Sequence, residues 1–363
     1  MVKHRRTVET LEPYRPGKPI SEVKRELGLT DIIKLASNEN PLGCSPKAVE
    51  ALIKRTREAS LYPDGNCTEL RNALAERFNL DPGQFLFGAG SDQILEIIAQ
   101  TYINPGDTTL TCWPSFSRYE AVTRIMDGKM VRVPLKQHYR FDLDGILSSI
   151  TDTTRIIWIC NPNNPTGTII TAEEQKAFLE KVPGNVLVVL DEAYYEYARG
   201  GDYPESVQLL NEYQNVIILR TFSKVYGLAG LRVGYAISSK EIIELLNRVR
   251  GPFNVNAAAQ AAALAALDDQ EFVQMSVRTN QAGKQYLYQA FEEMGLEYIP
   301  THTNFIMVNV EKNSLEIFRA LLQKGVIIRS GDIFDMDNWI RVTIGTPEQN
   351  MRLIDALKEV LNR

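Results

Sequence analysis

Histidine is scarce in this chain. Three occur in 363 residues, at positions 4, 138 and 302, and no two have helix-face or metal-ligand spacing. That argues against a zinc centre and a histidine-based triad, and no metal is expected. The four cysteines, Cys44, Cys67, Cys112 and Cys160, are widely separated with no Cys-x-x-Cys pair, a usage that suits free thiols in a reducing cytoplasm. Long apolar runs are missing too; VLVVL at 186–190 is among the longest, far short of a bilayer span. Blocks of basic residues are absent and the net charge is -5, so neither nucleic acid nor an anionic membrane is an expected partner. The N-terminus, MVKHRRTVETLEPYRPGKP, carries basic residues with no apolar stretch behind them. It does not read as a secretory signal, and a cytoplasmic protein is expected.

What is present is a chain 44% hydrophobic, long enough for a sizeable core and, as a prior, for two domains. Seven short runs of β-branched or aromatic residues punctuate it: FLFG (85–88), TTLTC (108–112), MVRVP (130–134), RIIWIC (155–160), VLVVL (186–190), VIILR (216–220) and VGYAI (233–237). Amphipathic stretches such as 92–102 and 171–182 lie between them, at helical spacing. Buried strands alternating with helices predict an α/β fold: a mostly parallel seven-stranded sheet with helices on both faces. After residue 255 the texture changes. A long helical region is expected from Asn256 to Met294, then shorter strands at 303–310, 326–330 and 339–345. A last helix, 347–361, opens at Thr346-Pro347. This predicts a smaller α+β domain formed by the N-terminal segment and the C-terminal third, with boundaries at 1–40, 41–255 and 256–363.

Four elements at strand ends carry chemistry. In FLFGAGSDQILEI (85–97) a strand gives way to small residues and then to a helix starting near Ser91. Free amides and the helix dipole there form an anion site, although Ser91 acting as a plain N-cap explains the pattern about as well. NPNNPTG (161–167) follows a buried strand, at the sheet edge where α/β folds bind ligands. Asp191, in LDEAYYEYA, ends another buried strand, where an unpaired carboxylate is costly and calls for a cationic or proton-donating partner. Lys224, in RTFSKVYGLAGLRVGYA, sits among Thr221, Ser223 and Arg232; an isolated lysine there would simply snorkel to water. Together the four offer a phosphate binder, a partner for a pyridine nitrogen and an amine for covalent attachment, which are the protein parts that pyridoxal 5′-phosphate requires.

The chain closely resembles the fold-type I, aspartate-aminotransferase-like pyridoxal-phosphate enzymes, and within them the histidinol-phosphate aminotransferases. The resemblance runs through EPYRPGKP, SNENPLG, YPDG, GAGSDQ, NPNNPTG, LDEAYYEY, TFSKVYGLAGLRVGY, PFNVN and WIRVTIGT. It implies a large cofactor-binding domain, Lys224 as the covalent anchor, Asp191 against the pyridine nitrogen, and Tyr194 and Asn164 on the ring oxygen. Phe116, where relatives more often carry tyrosine, would stack on the ring. Gly90, Ser91 and Asp92, mainly through backbone amides, would hold the phosphate with Thr221, Ser223 and Arg232. Tyr62 would reach that phosphate across a dimer interface, implying a homodimer with shared active sites. Arg341 resembles the arginine that clamps a carboxylate, Arg329 and Tyr14 the binders of a substrate phosphate, and Asn38 and Asn40 residues that shape the pocket mouth. The implied partners are a small-molecule amino donor and a 2-oxo acid. An aromatic amino-acid aminotransferase and a decarboxylase of the same fold, such as a threonine-phosphate decarboxylase, share these cofactor motifs, and side-chain preference is not legible from them.

Overall fold

A computed structural model describes residues 2–362 apart from Glu12, Tyr14, Arg15 and Pro16. The seven apolar runs form β1 (Phe85–Gly88), β2 (Thr108–Trp113), β3 (Lys129–Pro134), β4 (Thr154–Cys160), β5 (Leu187–Asp191), β6 (Val216–Thr221) and β7 (Gly234–Ile237). They make one sheet in the order β1-β7-β6-β5-β4-β2-β3. Every pairing is parallel except those of β7, which runs antiparallel to both β1 and β6. Strands β1, β5, β6 and β7 are buried at every position, as expected where helices cover both faces. Each fully buried Val, Leu or Ile contributes about 1.5–3 kcal/mol, which fixes the strands in place. No helix among the described residues is long and apolar enough to cross a membrane.

Register decides where the polar strand ends lie. Cys160 pairs with Asp191, and Asp191 with Leu219, so the turn after β4, the acid ending β5 and the lysine loop after β6 share one sheet edge. The helix Gly90–Tyr102 docks against Gly234 of β7; a Cβ on Gly234 would come within 2.6 Å of the Ser91 amide nitrogen.

A second sheet, in the order β10-β11-β9-β8, comprises β8 (Tyr298–Ile299), β9 (Phe305–Asn309), β10 (Arg329–Ser330) and β11 (Trp339–Thr343). Its core joins Leu35 to apolar residues between Leu287 and Leu361. The N-terminal segment packs here: Ile33–Lys34 pairs in parallel with Val326–Ile327, and Val23 is buried with Ala36, Leu322 and Ile327. The last helix spans Pro347–Leu361, with Thr346 and Gln349 forming a capping box.

Two expectations need correction. The helical region from Asn256 is two helices, Ala257–Leu267 and Gln270–Glu293. Asp269 breaks it, because its side chain caps Phe272 N at 3.2 Å and also accepts from the Ser45 hydroxyl at 2.5 Å. The run 326–330 is likewise two short strands in two sheets. The change of partner at Ile328 sets Arg329 opposite Arg341 across β10 and β11.

Candidate functional site

The sheet edge opens into a cavity of about 290 Å³ whose lining includes Lys224, Asp191, Phe116, Asn164, Arg329 and Arg341. Lys224 leaves the loop after β6 and reaches inward, its Nζ 3.5 Å from the Ser37 carbonyl and 5.6 Å from the Tyr194 ring centroid. Burial and then the charge of Arg341 push its amine down to about 8, with Arg232 adding to the effect. At pH 7 such an amine is neutral in roughly a tenth of molecules, far more than an ordinary lysine.

Asp191 is 3% exposed and ends β5 at the cavity. Tyr119 donates to its Oδ2 at 2.8 Å, and the Ala193 amide reaches Oδ1 at 3.2 Å. Burial raises the carboxyl to about 6, while these two donors lower it. Among the described residues no cation forms an ion pair with it. The partner that the sequence called for is therefore a proton donor, Tyr119, which the sequence analysis did not single out. No local signal in the sequence links Tyr119 to Asp191, 72 positions later.

The three asparagines of 161–167 have different work. Asn161 closes the turn through both ends of its amide, donating to the Ile170 carbonyl and accepting from the Ile170 amide, each at 3.0 Å. Asn163 ties Ser115, Pro114 and Thr166 together. Asn164 alone lines the cavity, accepting from Arg341 Nη1 at 2.6 Å. Arg341 is also held by the Ala36 carbonyl at 3.0 Å. Asn38 donates to the Tyr194 hydroxyl at 2.9 Å and is fixed by Thr343. Asn40, expected at the pocket mouth, instead donates to the Val225 carbonyl and the Ser276 hydroxyl, at 2.7 and 2.8 Å. It fastens the N-terminal segment to the lysine loop.

The turn from β1 into the following helix differs from the expected start at Ser91. The helix begins at Gly90 with Ala89, not Ser91, as the N-cap residue, and Gln93 Oε1 accepts from the Ala89 amide at 2.8 Å. Gly90 adopts φ +75°, and a Cβ there would collide with the Arg232 guanidinium, so glycine is required twice over. Arg232 Nη1 lies 3.4 Å from Ser223 Oγ, and the Thr221 hydroxyl accepts from the Ser223 amide at 3.1 Å. Ser91, Asp92, Thr221, Ser223 and Arg232 all line the cavity.

One expected residue is not brought there within the chain. Tyr62 is 80% exposed and stacks on Phe253, with centroids 4.8 Å apart. Tyr14 lies outside the described residues. A larger surface groove of about 560 Å³ around Leu143 and Phe178 lies apart from these residues, and its Lys136 and Arg140 are already paired with acids.

The residues present fit pyridoxal 5′-phosphate. The buried carboxylate without an ion pair matches a protonated pyridine nitrogen, the glycine cradle beside Arg232 matches a phosphate, and the depressed amine matches an aldehyde partner.

The family described as "Aminotransferase class I and II" matches residues 30–357. The chain is 54% identical over 357 residues to the histidinol-phosphate aminotransferase of Caldicellulosiruptor saccharolyticus, covering 98% of this chain and 99% of that one. The solved histidinol-phosphate aminotransferase of Sinorhizobium meliloti, in complex with pyridoxal-5′-phosphate, is 28% identical with a TM-score of 0.92, covering 100% and 98%. Aspartate aminotransferase from Thermus thermophilus, 22% identical with a TM-score of 0.86 over 99% and 100%, shares the fold.

Proposed function

The chain belongs to the class I and II aminotransferase family, and on that premise we propose that it is a pyridoxal-phosphate-dependent histidinol-phosphate aminotransferase. It would convert L-histidinol phosphate and 2-oxoglutarate to imidazole acetol phosphate and L-glutamate, a step of histidine biosynthesis. The observation that carries this reading is a single cavity lined by Lys224, Asp191, Arg329 and Arg341. An amine, a buried acid and two guanidinium groups are the side chains that this reaction needs.

In this reading Lys224 anchors the cofactor, Asp191 faces its ring nitrogen, and Phe116 stacks on its face. Tyr194 and Asn164 hold the ring oxygen. The amides of Gly90, Ser91 and Asp92, with Thr221, Ser223 and Arg232, take the phosphate. When bound, pyridoxal phosphate supplies a sink for the electron pair left as a proton departs from the donor carbon. Lys224, freed when the donor amine takes its place on the cofactor, would accept that proton and return it to the neighbouring position. Its depressed amine suits both directions of transfer, because catalytic efficiency is greatest when the pKa lies near the working pH. Asp191 keeps its negative charge aimed at the ring nitrogen in a site that excludes water, where a fixed charge acts strongly.

One pocket must accept both a phosphate ester and a dicarboxylic 2-oxo acid. Arg329 and Arg341, adjacent across β10 and β11, can each hold either anion through a planar fork. Tyr14 joins the phosphate binders by resemblance. Tyr62 points to a homodimer with shared active sites: with Phe253 and Leu61 it forms an exposed apolar surface, from which it would reach the second copy's cofactor phosphate. The four unbridged cysteines suit a cytoplasmic location.

The deciding experiment measures kcat/KM for L-histidinol phosphate, phenylalanine and tyrosine as donors to 2-oxoglutarate. The phosphate ester is expected to lead. Preference for phenylalanine or tyrosine would make the protein an aromatic aminotransferase, and release of CO₂ without glutamate would make it a decarboxylase.

A further inference from the structure

We propose that Tyr119 is a positioning residue for this reaction: its hydroxyl holds Asp191 as the carboxylate that faces the cofactor nitrogen. It acts only through Asp191, and the proposal rests on the reading of the cavity given above.

Tyr119 is fully buried in the first turn of the helix Arg118–Ile125. Its ring lies parallel to Trp158 of β4, with centroids 5.4 Å apart, and meets the edge of Phe116 at 5.6 Å. Phenylalanine would make the same ring contacts, so packing does not explain the oxygen. A buried hydroxyl needs a partner, and this one donates to Asp191 Oδ2 at 2.8 Å. Trp158 stands two residues before Cys160, which pairs with Asp191 in the sheet. The strand that supports the ring is thus in register with the acid that receives the proton.

The bond has a definite electrostatic sign. Burial drives Asp191 toward its neutral form, and Asp92 and Glu192 push the same way. Cys160 and Tyr194 also face the carboxyl, and neither carries a positive charge. Of the influences that lower the carboxyl, Tyr119 is the largest, followed by the Ala193 amide. A neutral acid could not keep the ring nitrogen protonated; an anion held by a phenol can. The same stretch of chain supplies Phe116 for the ring face and Tyr119 for the acid beneath it, so ring stacking and ring charge are set together.

The test titrates Asp191 in apoprotein by ¹³C NMR of the labelled carboxyl. In the native apoprotein the midpoint should lie near 6. Tyr119→Phe should raise it by about one to two pH units, the worth of one hydrogen bond to a charged group. Replacing Tyr119 with 3-fluorotyrosine, a stronger donor of nearly the same shape, should lower it. Loss of packing cannot produce opposite shifts from these two changes. The Tyr119→Phe holoenzyme should lose kcat with little change in KM for L-histidinol phosphate, and should hold pyridoxal phosphate more weakly. Trp158→Phe, which loosens the ring but keeps the hydroxyl, should lower the melting temperature and leave the midpoint in place. An unmoved midpoint in Tyr119→Phe overturns the role even if the enzyme transaminates normally. A shifted midpoint in a protein that binds no pyridoxal phosphate overturns the reading of the cavity and the role with it, while leaving the hydrogen bond intact.

Discussion

Asp191 and Glu192 are neighbours at the end of one strand, both buried, and they meet opposite fates. Glu192 points into the closed layer, where its Oε2 accepts from Arg220 Nε at 2.9 Å and forms an ion pair with Nη2 at 2.8 Å. Arg220 is itself buried, 3.5 Å from the centroid of the Tyr195 ring. That acid has been given a permanent cation. Burial raises both carboxyls; at Glu192 the Arg220 charge opposes it, whereas Asp191 points into the cavity with only a phenol and an amide against it and rises to about 6. A buried acid with a built-in counter-ion is architecture. One without a counter-ion is a site prepared for a cationic ligand, and the fold bears the cost until that ligand arrives.

Lys224 offers the sharpest break. Lys224→Ala should lower turnover by roughly 10⁴-fold or more, with loss of the visible absorbance of bound pyridoxal phosphate; turnover near the native rate would remove the mechanism. Next come the two acids. Asp191→Asn should cost about 10²–10³-fold in kcat yet stabilise the apoprotein. The sign follows from proton binding. Between the ordinary carboxyl value and about 6 the folded state binds more protons than the unfolded state, so the native apoprotein loses stability as pH rises through that window. Removing the charge should recover at most about 3 kcal/mol near pH 7.5, read as a higher midpoint in urea. Glu192→Gln should do the reverse. It leaves the Arg220 charge buried and uncompensated, destabilising the fold by about 3–5 kcal/mol, while the enzyme that does fold keeps most of its kcat. Equal effects of the two substitutions on stability would erase the distinction.

A smaller effect concerns the amine. Only neutral Lys224 can attack an aldehyde, so the rate of reconstitution with pyridoxal phosphate should rise with pH and level off above about 8. Arg341→Met removes the second-largest cause of the depressed value, after burial, and should move that midpoint upward. The same variant should raise KM for 2-oxoglutarate, about tenfold if one charge-assisted fork is lost. A midpoint that stays put would assign the depression to burial and Arg232. The smallest change expected is in Arg329→Lys, a few-fold rise in KM for L-histidinol phosphate, since the charge stays while the fork is lost.

Much of this was legible in the sequence because the signals were local. Seven apolar runs rich in β-branched or aromatic residues became seven strands, and the polar groups at their ends followed. What local signals do not carry is long-range partnership. Nothing local distinguishes Asn164, which meets Arg341, from Asn161 and Asn163, which build the turn. Tyr119 reads as one more core aromatic until β5 is placed beside β4. Asp269 interrupts a helical pattern because Ser45, 224 positions earlier, is there to bond it. Arg329 came to face Arg341 only through the change of sheets at Ile328.

The central claim is that the lysine loop after β6 bears the cofactor. Borohydride reduction of the protein loaded with pyridoxal phosphate, followed by peptide mapping, tests it directly. The account predicts a single pyridoxyl group, on Lys224. Lys284 is the informative alternative, because burial lowers its amine as well; a label there, with Lys224 unmodified, would contradict the account.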